Sequence, residues 1–193
     1  FRIKIRILKF SKLIYLKLIK VFSKNELPLR EPLYIKMLDS AIVESINVID
    51  VGSSDGFESN YILKKYNNIS KIHLIEPDIK NLNLVKKNIS SKYNQKISYH
   101  NFAISNKNHH GKFFISKSQS NLNSIIPKDE TFEEIKIDYI GLDKFIEKNK
   151  ILSPLLIMMD IEGQEVKVLE SLLTILDKLK SVKILFEVHP QFY

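Results

Sequence analysis

The stretch Asn47-Val48-Ile49-Asp50-Val51-Gly52-Ser53-Ser54-Asp55-Gly56 decides the fold of this chain. Three apolar residues in five read as a short buried strand, and two glycines then mark a tight turn. A helix is expected through about Tyr66, with Phe57, Tyr61, Ile62 and Tyr66 at helical spacing. Ile72 to Ile75 follows as a second strand that stops at Glu76-Pro77, where the proline keeps Glu76 extended. Asp78 can cap the next helix, which carries Leu82, Val85 and Ile89, and Ile97 to Phe102 is a third strand. Strand, helix, strand, helix, strand with short connections predicts a parallel sheet covered on both faces.

Outward from this unit the pattern changes. Gly111–Ser116 and Ile135–Ile140 read as an inserted antiparallel pair, within about 108–140, flanking a Ser/Asn-rich stretch from Ser116 to Ser124. Leu142 to Lys148 is a short helix. Leu155-Leu156-Ile157-Met158-Met159 is almost purely apolar, as a central parallel strand should be. It runs into Asp160-Ile161-Glu162-Gly163, then a helix with Val166, Leu169, Leu172, Leu173 and Leu176. Val182 to Val188 is a further strand before His189-Pro190. That strand reads as interior with nothing after it to cover it, so the natural protein is expected to continue past Tyr193 with more strand.

The 193 residues suit one domain, and hydrophobic residues at 44% with charged residues at 27% are ordinary for a globular protein. The absence of cysteine excludes disulfides, thiolate nucleophiles and thiolate-held metals. The net charge of +8 is confined to one place. Arg2, Lys4, Arg6, Lys9, Lys12, Lys17, Lys20 and Lys24 lie in residues 1–24, which hold no acid, and the rest of the chain has 22 basic and 22 acidic side chains. A charge-neutral domain (25–193) has no field to steer a polyanion, and no nucleic-acid partner is expected. The basic leader is amphipathic and has two readings: peripheral contact with anionic membrane, or a helix resting on protein. No uncharged run approaches the roughly 20 apolar residues needed to span a bilayer, so the expected location is cytoplasmic, with peripheral membrane contact through the leader.

The glycine turn points to a ribose-bearing ligand because of its distance to Glu76. That carboxylate lies 20 residues beyond Gly56, at the end of the next strand, where it can accept hydrogen bonds from ribose hydroxyls. Gly52 would permit close ligand approach, and Gly56 close helix–strand packing. A dinucleotide is disfavoured, since Ser54 stands where the second glycine of G-x-G-x-x-G belongs and Asp55 would repel a pyrophosphate. S-adenosylmethionine has no phosphate, and Asp50 or Asp55 suits its ammonium group.

With the further segments His73-Leu74-Ile75-Glu76-Pro77, Phe102-Ala103-Ile104-Ser105, Ile157 to Glu165 and Leu185 to Pro190, the chain resembles the FkbM-type methyltransferase family from about residue 47 to 190. Asp160-Ile161-Glu162-Gly163 is the most specific of these elements. The departures are Ser53-Ser54-Asp55, where the family more often has Ala-Asn and a small residue, and the missing final antiparallel strands. The resemblance implies a class I, Rossmann-like α/β fold, S-adenosylmethionine as methyl donor, and O-methylation of a sugar or small molecule. It also implies a donor site that draws Ser53, Pro77, Ala103 and Ile104 together with Asp50, Gly52, Asp55, Gly56 and Glu76.

Ligands of open α/β sheets bind at the carboxyl ends of the strands, which places Asp160, Glu162, Glu187 and His189 near the chemistry. Asp160 and Glu162 are expected to orient the acceptor hydroxyl. His189, with an ordinary pKa near 6.5, is the expected general base. Asp160, Glu187 and His189 are also chemically suited to Mn or Fe, although no metal is expected. His73, His100, His109 and His110 show no zinc-site spacing. Two rival readings stay open: a nucleic-acid or protein methyltransferase on the same fold, and a catalytically silent binding module.

Overall fold

The computed structural model describes residues 32–116, 132–161 and 163–186. The basic leader, most of the Ser/Asn-rich stretch, Glu162, and the chain from Glu187 onward, with His189, lie outside the described residues.

Five strands form one wholly parallel sheet in the order β3-β2-β1-β7-β8: β1 (Asn47–Val51), β2 (Lys71–Ile75), β3 (Ile97–His100), β7 (Leu155–Met159) and β8 (Val182–Phe186). The register puts Val48 beside Ile72 and Leu156, and Ile49 beside His73 and Ile157. Alternate residues therefore face opposite layers. Val48, Leu74, Leu156 and Met158 pack with Leu38, Ile42, Ile62 and Val85 of α1 (Pro32–Ile42), α2 (Phe57–Lys65) and α3 (Ile79–Asn88). Ile49, Ile75, Ile157 and Met159 pack on the other side with Leu142, Phe145, Val168 and Leu172 of α4 (Leu142–Lys148) and α5 (Glu165–Leu173). Burial on both faces is why the central strand β7 is apolar at every position.

The helices form where the sequence licenses them. Gly56, with φ 76°, takes the left-handed conformation that starts α2. Asp78 caps α3 by accepting from the Lys80 N–H at 2.8 Å. The Asp39 carboxylate of α1 accepts from the Tyr61 hydroxyl at 2.8 Å, the Tyr66 hydroxyl at 2.5 Å and the Lys65 ammonium at 2.7 Å, fastening α1 to α2.

Two details differ from the sequence reading. The third strand ends at His100 rather than Phe102; Asn101 leaves the ladder and donates to the carbonyls of Glu76 and Pro77 at 3.0 and 2.8 Å. The expected antiparallel pair is β5 (His109–Ser116) on β6 (Phe132–Gly141), but it belongs to a three-stranded sheet. Its third member, β4 (Ala103–Ser105), runs parallel to β6 and sends Ile104 into the α4–α5 core.

Candidate active site

Strand order reverses between β1 and β7. The crossovers after β1 and β2 lie on the α1–α3 side, and the crossover after β7 lies on the α4–α5 side. The carboxyl ends of β1 and β7 thus open a crevice, where ligands of open α/β sheets bind.

Gly52 begins the turn with φ 80°, and its N–H donates to the Ile75 carbonyl at 2.9 Å. A Cβ there would stand 2.3 Å from the backbone oxygen of Asp160. The chain leaving β7 therefore fills the space that a side chain at this position would need. Gly56 is likewise required by Val85 of α3, whose Cγ1 would be 2.8 Å from an added Cβ. The packing it permits is helix on helix rather than helix on strand.

Glu76 is 4% exposed at the end of β2. Its Oε2 accepts from the Ser54 N–H and its Oε1 from the Asp78 N–H, each at 2.9 Å, and Asn81 adds a side-chain hydrogen bond. Burial pushes its pKa up to about 7, against the opposing pull of these donors. Pro77 follows at the bend between β2 and α3.

Asp50 and Asp55 occupy different environments. Asp50 points into the α1–α3 layer, buried, and accepts from the Ser59 hydroxyl at 2.6 Å. Asp55 is half-buried at the helix entrance, where it accepts from the Phe57 N–H at 3.1 Å. The Ser53 hydroxyl is buried and has no partner among the described residues, an arrangement that costs about 1–3 kcal/mol unless a ligand supplies one. Ala103 and Ile104 are buried in β4, across Asn101 from Glu76.

Asp160 donates its N–H to the Val51 carbonyl at 3.1 Å and is exposed on the crevice edge. The turn therefore brings Gly52, Ser53, Glu76 and Asp160 together at one end of the sheet. Among the described residues no three His, Asp or Glu side chains converge as a metal site.

The profile of the methyltransferase FkbM domain matches residues 50–193. The chain belongs to the FkbM methyltransferase family. A crystal structure of the methyltransferase FkbM from Methylobacillus flagellatus KT superposes with a TM-score of 0.50 at 21% identity, over 73% of this chain and 32% of that one, and shares the fold. The methyltransferase domain of bacterial-CtHen1-CN aligns at 21% identity with a TM-score of 0.29, over 35% of each chain. This chain thus spans about a third of each solved structure. No curated protein matches it significantly.

In this FkbM domain three residues around the crevice were not foreseen from sequence. Ser59 partners Asp50, and its signal is its place in the first turn of α2. Asn81 supports Glu76 from the first turn of α3. Glu165, fully buried at the start of α5, lies inside the recognised Asp160–Glu165 segment.

Proposed function

We propose that this FkbM domain holds S-adenosylmethionine at the β1–β7 crevice and directs its methyl group to a hydroxyl of a sugar or small molecule. The observation that carries this reading is the Glu76 carboxylate, buried beside the glycine turn. Two backbone N–H groups bind it at 2.9 Å, and lone-pair capacity remains for a ribose hydroxyl. The orphaned Ser53 hydroxyl fits a polar ligand at the same turn, and Asp55 at the start of α2 disfavours a phosphate there. The residues that would hold the donor are Asp50, Gly52, Ser53, Asp55, Gly56, Glu76, Pro77, Ala103 and Ile104. When bound, the donor supplies an electrophilic methyl on a sulfonium.

The chain's own share of the chemistry is positioning and proton removal. Asp160, exposed at the crevice edge, and Glu162 are assigned to orient the acceptor hydroxyl, and His189 to take its proton. The charge balance beyond residue 24 favours a small or glycan acceptor over a nucleic acid. We also propose that residues 1–24 contact anionic lipid.

Calorimetry with S-adenosylmethionine, S-adenosylhomocysteine and NAD tests the donor; binding of NAD alone overturns it. Transfer from labelled donor into fractionated extracts tests the acceptor, and label recovered only in RNA or protein overturns the hydroxyl reading.

A further inference from the structure

Glu165 is 0% exposed, yet it is a carboxylate. The N-cap residue of α5, Gln164, makes no side-chain capping bond to the helix. Glu165 instead reaches backward: its Oε1 accepts from the N–H of Ile161 at 3.4 Å and of Gly163 at 3.3 Å. Those two amides flank Glu162, and Gly163 takes φ 93°, a conformation that L side chains rarely adopt. One buried oxygen therefore gathers both ends of the turn that leaves β7.

That turn is the neighbour of the glycine turn. The Asp160 N–H binds the Val51 carbonyl at 3.1 Å, and the Asp160 backbone oxygen lies 2.3 Å from where a Cβ on Gly52 would stand. The Ile161 side chain lies 3.2 Å from that same point. The backbone geometry at Ile161 and Gly163 therefore bears on the shape of the crevice wall.

We propose that Glu165 is a positioning residue: its buried carboxylate holds the backbone at Ile161 and Gly163, beside the Asp160 contact with Gly52, and so sets the donor-binding crevice. The inference rests on the donor reading above for its functional half, and on hydrogen bonding alone for its structural half.

The test replaces the carboxylate by an apolar group of similar length, Glu165→Met, in the whole chain. Three quantities are read: amide exchange residue by residue, the thermal midpoint, and calorimetric affinity for S-adenosylhomocysteine. The expected result is about tenfold less protection at Ile161 and Gly163, with the amides of β1 and β2 unchanged. Affinity should fall about tenfold at a thermal midpoint within a few degrees of the unaltered chain. A residue that only fills space predicts the opposite, since an apolar side chain suits a fully buried position. Unchanged protection at 161 and 163, unchanged affinity, or protection lost uniformly across the sheet would each overturn the proposal. If Glu165→Met does not fold, Glu165→Asp retracts the oxygens by one methylene, and it must show the same confined loss. Absence of binding by the unaltered chain would sink the donor reading instead, and the exchange measurement would still decide whether Glu165 sets the turn.

Discussion

Glu76 combines a pKa raised to about 7 with a hydrogen-bonding role that needs the ionised form. A ribose hydroxyl donates best to the carboxylate, so affinity for S-adenosylhomocysteine should fall as pH drops below about 7 and level off above it. Calorimetry from pH 5.5 to 8.5 reads this directly, and a flat profile would remove Glu76 from the donor contacts. Glu76→Gln should weaken binding by about 1–3 kcal/mol and abolish the slope. The same group has a stability signature. Its folded pKa lies above its unfolded value, so the stabilisation it gives is present below the unfolded pKa and is lost as pH rises through about 7. The glycines separate in the same way. Gly52→Ala drives a Cβ into a backbone oxygen that no rotamer can move, and should cost about 3 kcal/mol or more in chemical denaturation. Gly56→Ala meets only the Val85 side chain, so Val85→Ala should recover part of its smaller loss. Gly52, Gly56 and Glu76 could be found from sequence because strand-end position and spacing advertise them. The reasons for the glycines could not, since both depend on chain segments 29 residues or more away.

Between elements, β2 and β3 share a histidine pair, His73 buried and His100 half-buried, on the α4 side of the sheet. His73 Nδ1 and His100 Nε2 stand 3.1 Å apart, with rings stacked at 5.3 Å and the Phe145 ring edge-on to both. One nitrogen carries the proton and the other accepts it, so the contact needs at least one neutral ring. Burial, then the neighbouring His100 and Lys71, lower the pKa of His73 to about 4, and burial and Lys71 lower that of His100. Folded-state values below the unfolded one mean that the folded protein binds fewer protons. Stability from this pair is therefore present above about pH 6.5 and lost as pH falls toward 4, by at most about 1.4 kcal/mol per pH unit for each proton. His73→Phe should flatten the acid limb of the thermal midpoint between pH 6.5 and 4; an unaltered limb would assign the loss elsewhere. The strands themselves were legible because two-sided burial makes them apolar. Their pairing with distant groups was not. Asp39 finds Tyr61 and Tyr66 from 22 and 27 residues away, and the three-residue strand Ala103–Ser105 is too short for any periodicity to separate it from β3.

For the whole molecule, charge is partitioned more sharply than composition suggests. Eight basic residues and no acid fall within residues 1–24, while the remainder balances 22 against 22. Within the described residues, basic groups sit among acids, as with Lys178 on Glu147 at 2.6 Å and Lys112 on Glu134 at 2.9 Å. Such exposed pairs contribute little stability. Among the described residues no helix is long and apolar enough to cross a membrane. On the reading proposed above, attraction to an anionic bilayer comes from the leader, at about 1 kcal/mol for each Lys or Arg brought near the surface, fading within a Debye length. Flotation with vesicles containing anionic lipid should therefore carry the whole chain up at low salt and release it as ionic strength rises. A chain lacking residues 1–24 should stay at the bottom of the gradient under both conditions, and neutral vesicles should retain neither form well. Equal partitioning of the two chains, insensitive to salt, would leave the basic segment to pack on protein and would overturn the lipid contact proposed for it.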